Sequence, residues 1–209
     1  MNVLHSKIQA PKRYHILHRK RLIRPFEDIC QTKLVAVTAG AGYGKTTLVM
    51  DALESLDVVP VWYRLDNQDT DFLVFISYLY AAVRQHFPDQ SEIEKGYTVP
   101  KKSFKKQTDT LLEWLAFLEK TVKQQTVLVL DDYHLVRDSQ QINHAVEFIL
   151  DRLPGHIHLV IIGRKNLSFR LSSLRAKEQL IEIDENDLSF TTGEIKLFFR
   201  IPFCRQTGT

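Results

Sequence analysis

Cysteine is scarce in this chain: there are two among 209 residues, Cys30 and Cys204, far apart in sequence. With no charged start and apolar stretch over Met1–Ala10 to form a secretory leader, this usage fits a reducing, cytoplasmic setting. A dominant charge is also lacking. Lys and Arg total 28 against 25 for Asp and Glu, a formal balance of +3, which does not suggest a dedicated nucleic-acid binder. Long apolar runs are missing too. The longest, Phe72–Val83, is broken by Ser77, Tyr78 and Tyr80 and falls short of the ~20 residues that span a bilayer, so no membrane span is expected. There is no internal repeat. The 8 histidines do not complete a four-ligand metal site, and His156 and His158 read as satisfied polar side chains on one side of the sheet edge.

What is present is the balance of a globular protein, 44% hydrophobic and 25% charged, with 10% aromatic residues to build a core. The first 33 residues carry eight basic side chains (Lys7, Lys12, Arg13, Arg19, Lys20, Arg21, Arg24, Lys33) against Glu27 and Asp28. Without aromatic interleaving or a recognition helix, this basic arm reads as a solvated lead-in touching the domain edge. Beyond it, Lys33–Thr38, Val58–Leu65, Thr126–Asp131, Ile157–Gly163 and Leu180–Ile183 read as strands, the central ones apolar on both faces. Leu111, Leu115, Leu118 and Val122, with Trp114 beside them, make one helical stripe, and Ile142, Val146, Ile149 and Leu153 another. Strands separated by helices imply right-handed crossovers, so the fold class is α/β with a mostly parallel sheet covered on both faces. Phe87–Lys106, broken by Pro88, Gly96, Pro100 and the basic run Lys101–Lys106, reads as an exposed loop.

The stretch Val37–Leu48, VTAGAGYGKTTL, follows the first strand and opens a helix, which is the context of a P-loop. Gly40, Gly42 and Gly44 let backbone N–H groups, including those of Ala41 and Tyr43, turn toward phosphate oxygens, and the helix adds its positive dipole end. Lys45 supplies a point charge between β- and γ-phosphates, the Thr46 hydroxyl a ligand for Mg²⁺, and Thr47 support for the α-phosphate. The strict pattern needs glycine at position 39, where this chain has Ala39.

A second signal is Val127–Asp132, VLVLDD, an apolar strand ending in two carboxylates. Asp131 is placed to assist Mg²⁺ through its water ligands, and Asp132 to polarise a water attacking a γ-phosphate. Arg164, at the carboxyl end of a third strand, reads either as a γ-phosphate sensor or as a strand cap. His134 reads as a packing or turn residue, Trp62 and Tyr63 as core and sheet face, and Asp66 and Asp69 as caps of the next helix.

With these motifs in place, the sequence resembles the ATPase module of the MalT-like, LuxR-type transcriptional regulators, within the signal-transduction ATPases with numerous domains. The matching stretches are Ile16–Leu22, Thr38–Leu48, Val61–Asp71, Leu128–Val136, Leu153–Arg164 and Asp187–Ile195. The resemblance implies an Mg-ATP-binding switch with slow hydrolysis and an AAA-type strand order, 5-1-4-3-2. It also implies that Arg164 senses the γ-phosphate and that Leu17, His18 and Arg19 lie near adenine and ribose. Position 40 is Gly where the family commonly has Pro, which implies a slightly looser loop. The implied organisation is a basic lead-in over 1–32 packing on the nucleotide site, a P-loop ATPase domain over 33–186 and the start of a truncated helical segment over 187–209. The family's sensor and DNA-binding segments do not match these residues, so specific DNA binding is not expected of this chain, and self-association in the ATP form is an expectation for a full-length protein. The competing functions are a P-loop kinase or other housekeeping NTPase acting on a small molecule, and a scaffold that binds nucleotide without hydrolysing it.

Overall fold

The structure, a computed structural model, describes residues 4–12, 17–88 and 106–199. Five strands, β1 (Leu34–Thr38), β2 (Val59–Arg64), β3 (Thr126–Asp131), β4 (Ile157–Gly163) and β5 (Leu180–Ile183), form one sheet in the order β2-β3-β4-β1-β5, and every pairing is parallel. This is the expected α/β architecture and strand order. The sequence reading of β1 and β2 runs over by one residue at the start of β1 and one at each end of β2; the other three strands match it.

Alternation along the β-branched strands sends successive side chains to opposite faces. Tyr63, Leu128, Leu130, Leu159 and Ile161 enter one core, with helices α3 (Phe72–His86), α4 (Gln107–Thr121) and α5 (Gln140–Arg152) over them. Trp62, Val127, Val129, Val160 and Ile162 enter the other, covered by α2 (Lys45–Glu54) and by Leu22, Phe26 and Ile29 from the lead-in. Trp114 is fully buried within its stripe rather than beside it. Both faces being covered explains why β3 and β4 are buried along their whole length and mostly apolar.

Three local expectations change. Asp66 caps a short 3-10 turn, Asn67–Thr70, in a capping box completed by Asp69, whereas Asp71 caps α3. His158 lies on an interior strand rather than at a sheet edge, with Nδ1 2.6 Å from the Thr32 carbonyl and Nε2 3.0 Å from Gln125 Oε1; His156 precedes the strand and meets the Val122 carbonyl at 3.0 Å. The basic arm is not simply solvated. Lys7 and Arg19 are buried, paired with Asp69 and Glu194, because a cation taken from water needs a carboxylate partner. Arg13, most of the Phe87–Lys106 loop, Cys204 and the tail over 200–209 lie outside the described residues.

Candidate functional site

The turn between β1 and α2 demands glycine at two points: Gly42 and Gly44 have φ of 84° and 74°, the left-handed region that side chains disfavour. The loop that results places Lys45 at the first turn of α2, its Nζ donating to the Gly40 carbonyl at 2.6 Å. One residue on, the Thr46 hydroxyl donates to both carboxylate oxygens of Asp131, at 3.1 and 3.3 Å, joining α2 to the end of β3. A cavity of about 200 Å³ opens here, lined by Ala41, Gly42, Gly44, Lys45, Thr46 and Thr47 on one side and by Asp131, Asp132 and Arg164 on the other. Residues from three strand ends therefore meet at the carboxyl edge of the sheet, as the sequence suggested.

Charges in this cavity are unevenly paired. Burial, and after it Asp132, pushes the Asp131 carboxyl above its ordinary range, against the N–H of Asp132 and the Thr46 hydroxyl, which hold it down. Burial and the neighbouring Arg164 lower the Lys45 amine. Asp132 has a positive φ of 59° and its carboxylate is engaged by Arg64 Nε from the end of β2 at 3.0 Å. Arg164 is exposed, directly after β4. His134 lies in the turn Tyr133–Leu135, its Nδ1 3.9 Å from Asp132 Oδ1, too far for a hydrogen bond.

A second, more apolar hollow of about 140 Å³ adjoins the first across the P-loop. Leu17 and Arg19 line it with Tyr43, Thr47, Leu48, Asp51, Phe190 and Phe198. His18 stands beside it, Nδ1 2.7 Å from Asp51 Oδ1. Arg19 donates to Glu194 Oε1 and Oε2 and to the Ser189 carbonyl at 3.0–3.2 Å, with its guanidinium 4.4 Å from the Phe190 ring centre. Arg21 donates to Glu194 and to the carbonyls of Asp187 and Ser189. Burial is the largest single influence on Glu194 and pushes it up, but the bonds from Arg19, Arg21 and the Thr191 N–H together hold it down at about 2.

Sequence reasoning missed Arg64, Asp51, Glu185, Phe190, Glu194 and Phe198. Two legible signals lie near them, the boxes Asp184–Asp187 and Thr191–Glu194 that open the short helices α7 (Glu185–Leu188) and α8 (Thr192–Phe198), where α1 is Lys20–Ile23 and α6 is Ser172–Ala176. They announce helix starts, not proximity to the P-loop. Gly40 is held at both ends, its carbonyl by Lys45 and its N–H by Glu185 Oε2 at 3.3 Å, so the looser loop implied by glycine is tied down. Glu185 Oε1 also accepts from the Tyr43 hydroxyl at 2.8 Å, and that bond raises the phenol's pKa above its usual value.

No protein-family model matches the chain. It is 32% identical over 205 residues to the HTH-type transcriptional regulator MalT of Klebsiella pneumoniae, a match covering 97% of this chain and 22% of that protein. The MalT of Cronobacter sakazakii is 32% identical over 201 residues, 93% of this chain and 21% of that protein. The chain thus spans about a fifth of the length of these relatives. Among solved structures, the ORC1 protein of Aeropyrum pernix, determined in complex with DNA, superposes with a TM-score of 0.58 at 12% identity, over 89% of this chain and 49% of that one. A signal transduction ATPase with numerous domains and a tetratricopeptide-repeat sensor, from Pyrococcus horikoshii, gives 0.52 at 17% identity, over 91% of this chain and 28% of that one. These structural likenesses establish the fold. Among the described residues no helix is long and apolar enough to cross a membrane.

Proposed function

We propose, for a chain related along 97% of its length to the MalT-like regulators and built on the fold shared with P-loop ATPases, that it is a regulatory module binding ATP and ADP with Mg²⁺ and hydrolysing ATP slowly. In this reading the nucleotide is the switch of a transcriptional regulator, read out by self-association of the full-length protein in its ATP form. Specific DNA recognition lies outside this stretch, and the setting is cytoplasmic. The domain limits proposed are a lead-in to residue 32, an ATPase domain to 186 and a helical segment beyond it.

The observation that carries the reading is the contact of Thr46 with Asp131 beside Lys45. It brings a P-loop hydroxyl to a strand-end carboxylate whose pKa is raised by burial, a set of hard oxygens suited to Mg²⁺. Among the described residues no three His, Cys, Asp or Glu side chains converge as a metal site. That suits an ion which keeps its waters and takes few protein ligands beside phosphate oxygens. When bound, Mg²⁺ would neutralise charge on the β- and γ-oxygens. Lys45 exchanges its bond to the Gly40 carbonyl for phosphate oxygens, and the N–H groups from Ala41 to Thr47 surround them. Leu17, His18 and Arg19 lie near the base and ribose, with His18 also fixing the lead-in to Asp51, and Thr47 supports the α-phosphate. Asp132 polarises the attacking water once Arg64 releases it, so the Arg64 ion pair is a reason for slow turnover. Arg164 reads the γ-phosphate from the opposite wall of the cavity.

Lys45→Ala tests the reading through binding of ADP with Mg²⁺. Loss of one charge-assisted contact, about 1.5–3 kcal/mol, predicts an affinity lower by roughly 10- to 100-fold. An unchanged dissociation constant would remove the P-loop assignment.

A further inference from the structure

Glu185 reaches the P-loop at Gly40 from 145 positions further along the chain. Its two carboxylate oxygens are divided, one accepting from the Gly40 N–H at 3.3 Å and the other from the Tyr43 hydroxyl at 2.8 Å. The same loop carbonyl, that of Gly40, accepts from Lys45 Nζ at 2.6 Å, so carboxylate and ammonium grip one residue from its two sides. Glu185 also opens α7, directly before the Asp187 and Ser189 carbonyls that accept from Arg21 and Arg19. The segment from Glu185 to Ser189 is therefore anchored both to the P-loop and to the lead-in.

We propose that Glu185 is a positioning residue that sets the preference of the site between nucleoside di- and triphosphate: its carboxylate holds the loop through Gly40 and Tyr43 and opposes, as a like charge, the additional phosphate of the triphosphate. This deepens the proposed function and rests on it. The physical reason is charge. A diphosphate already engages Lys45, whereas a further phosphate adds negative charge at the flank of the loop and meets the Glu185 carboxylate as a like charge. The triphosphate binds only by loosening Glu185 from Gly40 and Tyr43, and that release is passed to α7 and to the carbonyls held by Arg19 and Arg21.

The test uses the full chain, Mg²⁺, ADP and a non-hydrolysable ATP analogue. Glu185→Gln keeps the shape and removes the charge, and should lower the ratio of the ATP-analogue dissociation constant to that of ADP by about 3- to 10-fold. Tyr43→Phe leaves the charge but removes one anchor, and should move the ratio the same way by less. Independently of nucleotide, Glu185→Ala should speed hydrogen exchange at the Gly40 amide. Equal changes in both dissociation constants, or none, overturn the role of Glu185, as does unchanged exchange at Gly40. A wild-type chain that binds neither nucleotide overturns the nucleotide-switch reading and, with it, the discriminating role.

Discussion

Two buried carboxylates at the carboxyl edge of this sheet have opposite surroundings. Asp69, without exposure to solvent, is saturated: Lys7 Nζ lies 2.6 and 2.7 Å from its oxygens, the Tyr63 hydroxyl donates at 2.6 Å, and so does the Asp66 N–H at 2.6 Å. Lys7 is further held 3.0 Å from Asp66 and 4.3 Å from the centre of the Tyr78 ring. Asp131, 3% exposed, receives only neutral donors, the Thr46 hydroxyl and the Asp132 N–H. Burial pushes both carboxyls up. At Asp69 a cation in contact counters part of this; at Asp131 the cations that counter it, Arg64 and Lys45, act through charge at longer range. A completed ion pair fastens the lead-in to the sheet, while an incompletely balanced carboxylate beside a cavity is the arrangement that a dissociable cation can complete.

The comparison breaks most visibly at Lys7. Lys7→Ala strands Asp69 as a buried charge and should cost about 3–5 kcal/mol in urea unfolding. The double variant Lys7→Ala, Asp69→Ala should recover part of that loss, and additive losses would show that the two side chains do not act as a pair.

At the other carboxylate the expected losses are in chemistry rather than in folding. Asp132→Asn keeps the side-chain shape and removes the charge facing water, so single-turnover hydrolysis should fall by about 100-fold with ATP affinity retained. Parallel losses in binding and turnover would count against its role as base. Asp131→Asn should weaken Mg²⁺-dependent nucleotide binding by roughly 10-fold yet stabilise the nucleotide-free fold at neutral pH by about 1 kcal/mol. The sign follows from its raised pKa. The folded chain binds that proton more tightly than the unfolded one, so the ionised group lowers stability as pH climbs through the raised value. An Asn variant no more stable than wild type would show that Asp131 is already balanced.

Arg164→Ala is expected to weaken ATP several-fold, about 5-fold, relative to ADP, because its charge acts on the γ-phosphate alone. Equal changes leave it as a strand cap. The smallest effect concerns Glu194. Its folded pKa of about 2 lies below the ordinary 4.5, so its contribution is complete above 4.5 and is lost as pH falls toward 2. Protease sensitivity of the segment 185–199 should rise across that window in wild type and be flat in Glu194→Gln.

The parts of the site that were legible before folding are those whose chemistry is local. Gly42 and Gly44 are dictated by two left-handed turns, Lys45 and Thr46 by the helix that starts there, and Asp131 and Asp132 by an apolar run that stops. The strand order followed from family resemblance alone, and the parallel pairing from strands separated by helices. The cap at Asp71 was misread because three aspartates within six residues all suit a helix start, and burial beside Lys7 singled out Asp69 for another role.

From the sequence alone came the α/β class, the strands, and the phosphate loop with its two carboxylates, since periodicity, glycine backbone freedom and a change from apolar to acidic are written within a few neighbouring residues. Only the tertiary structure decided that Lys7 belongs to Asp69, Arg64 to Asp132, Arg19 and Arg21 to Glu194, and Glu185 to Gly40 and Tyr43. These partners stand 62 to 175 positions apart. An isolated charge carries no mark of the partner that will balance it. The pairing is settled when the sheet order brings distant segments to one edge, and desolvation there leaves each charge in need of the counterpart within reach.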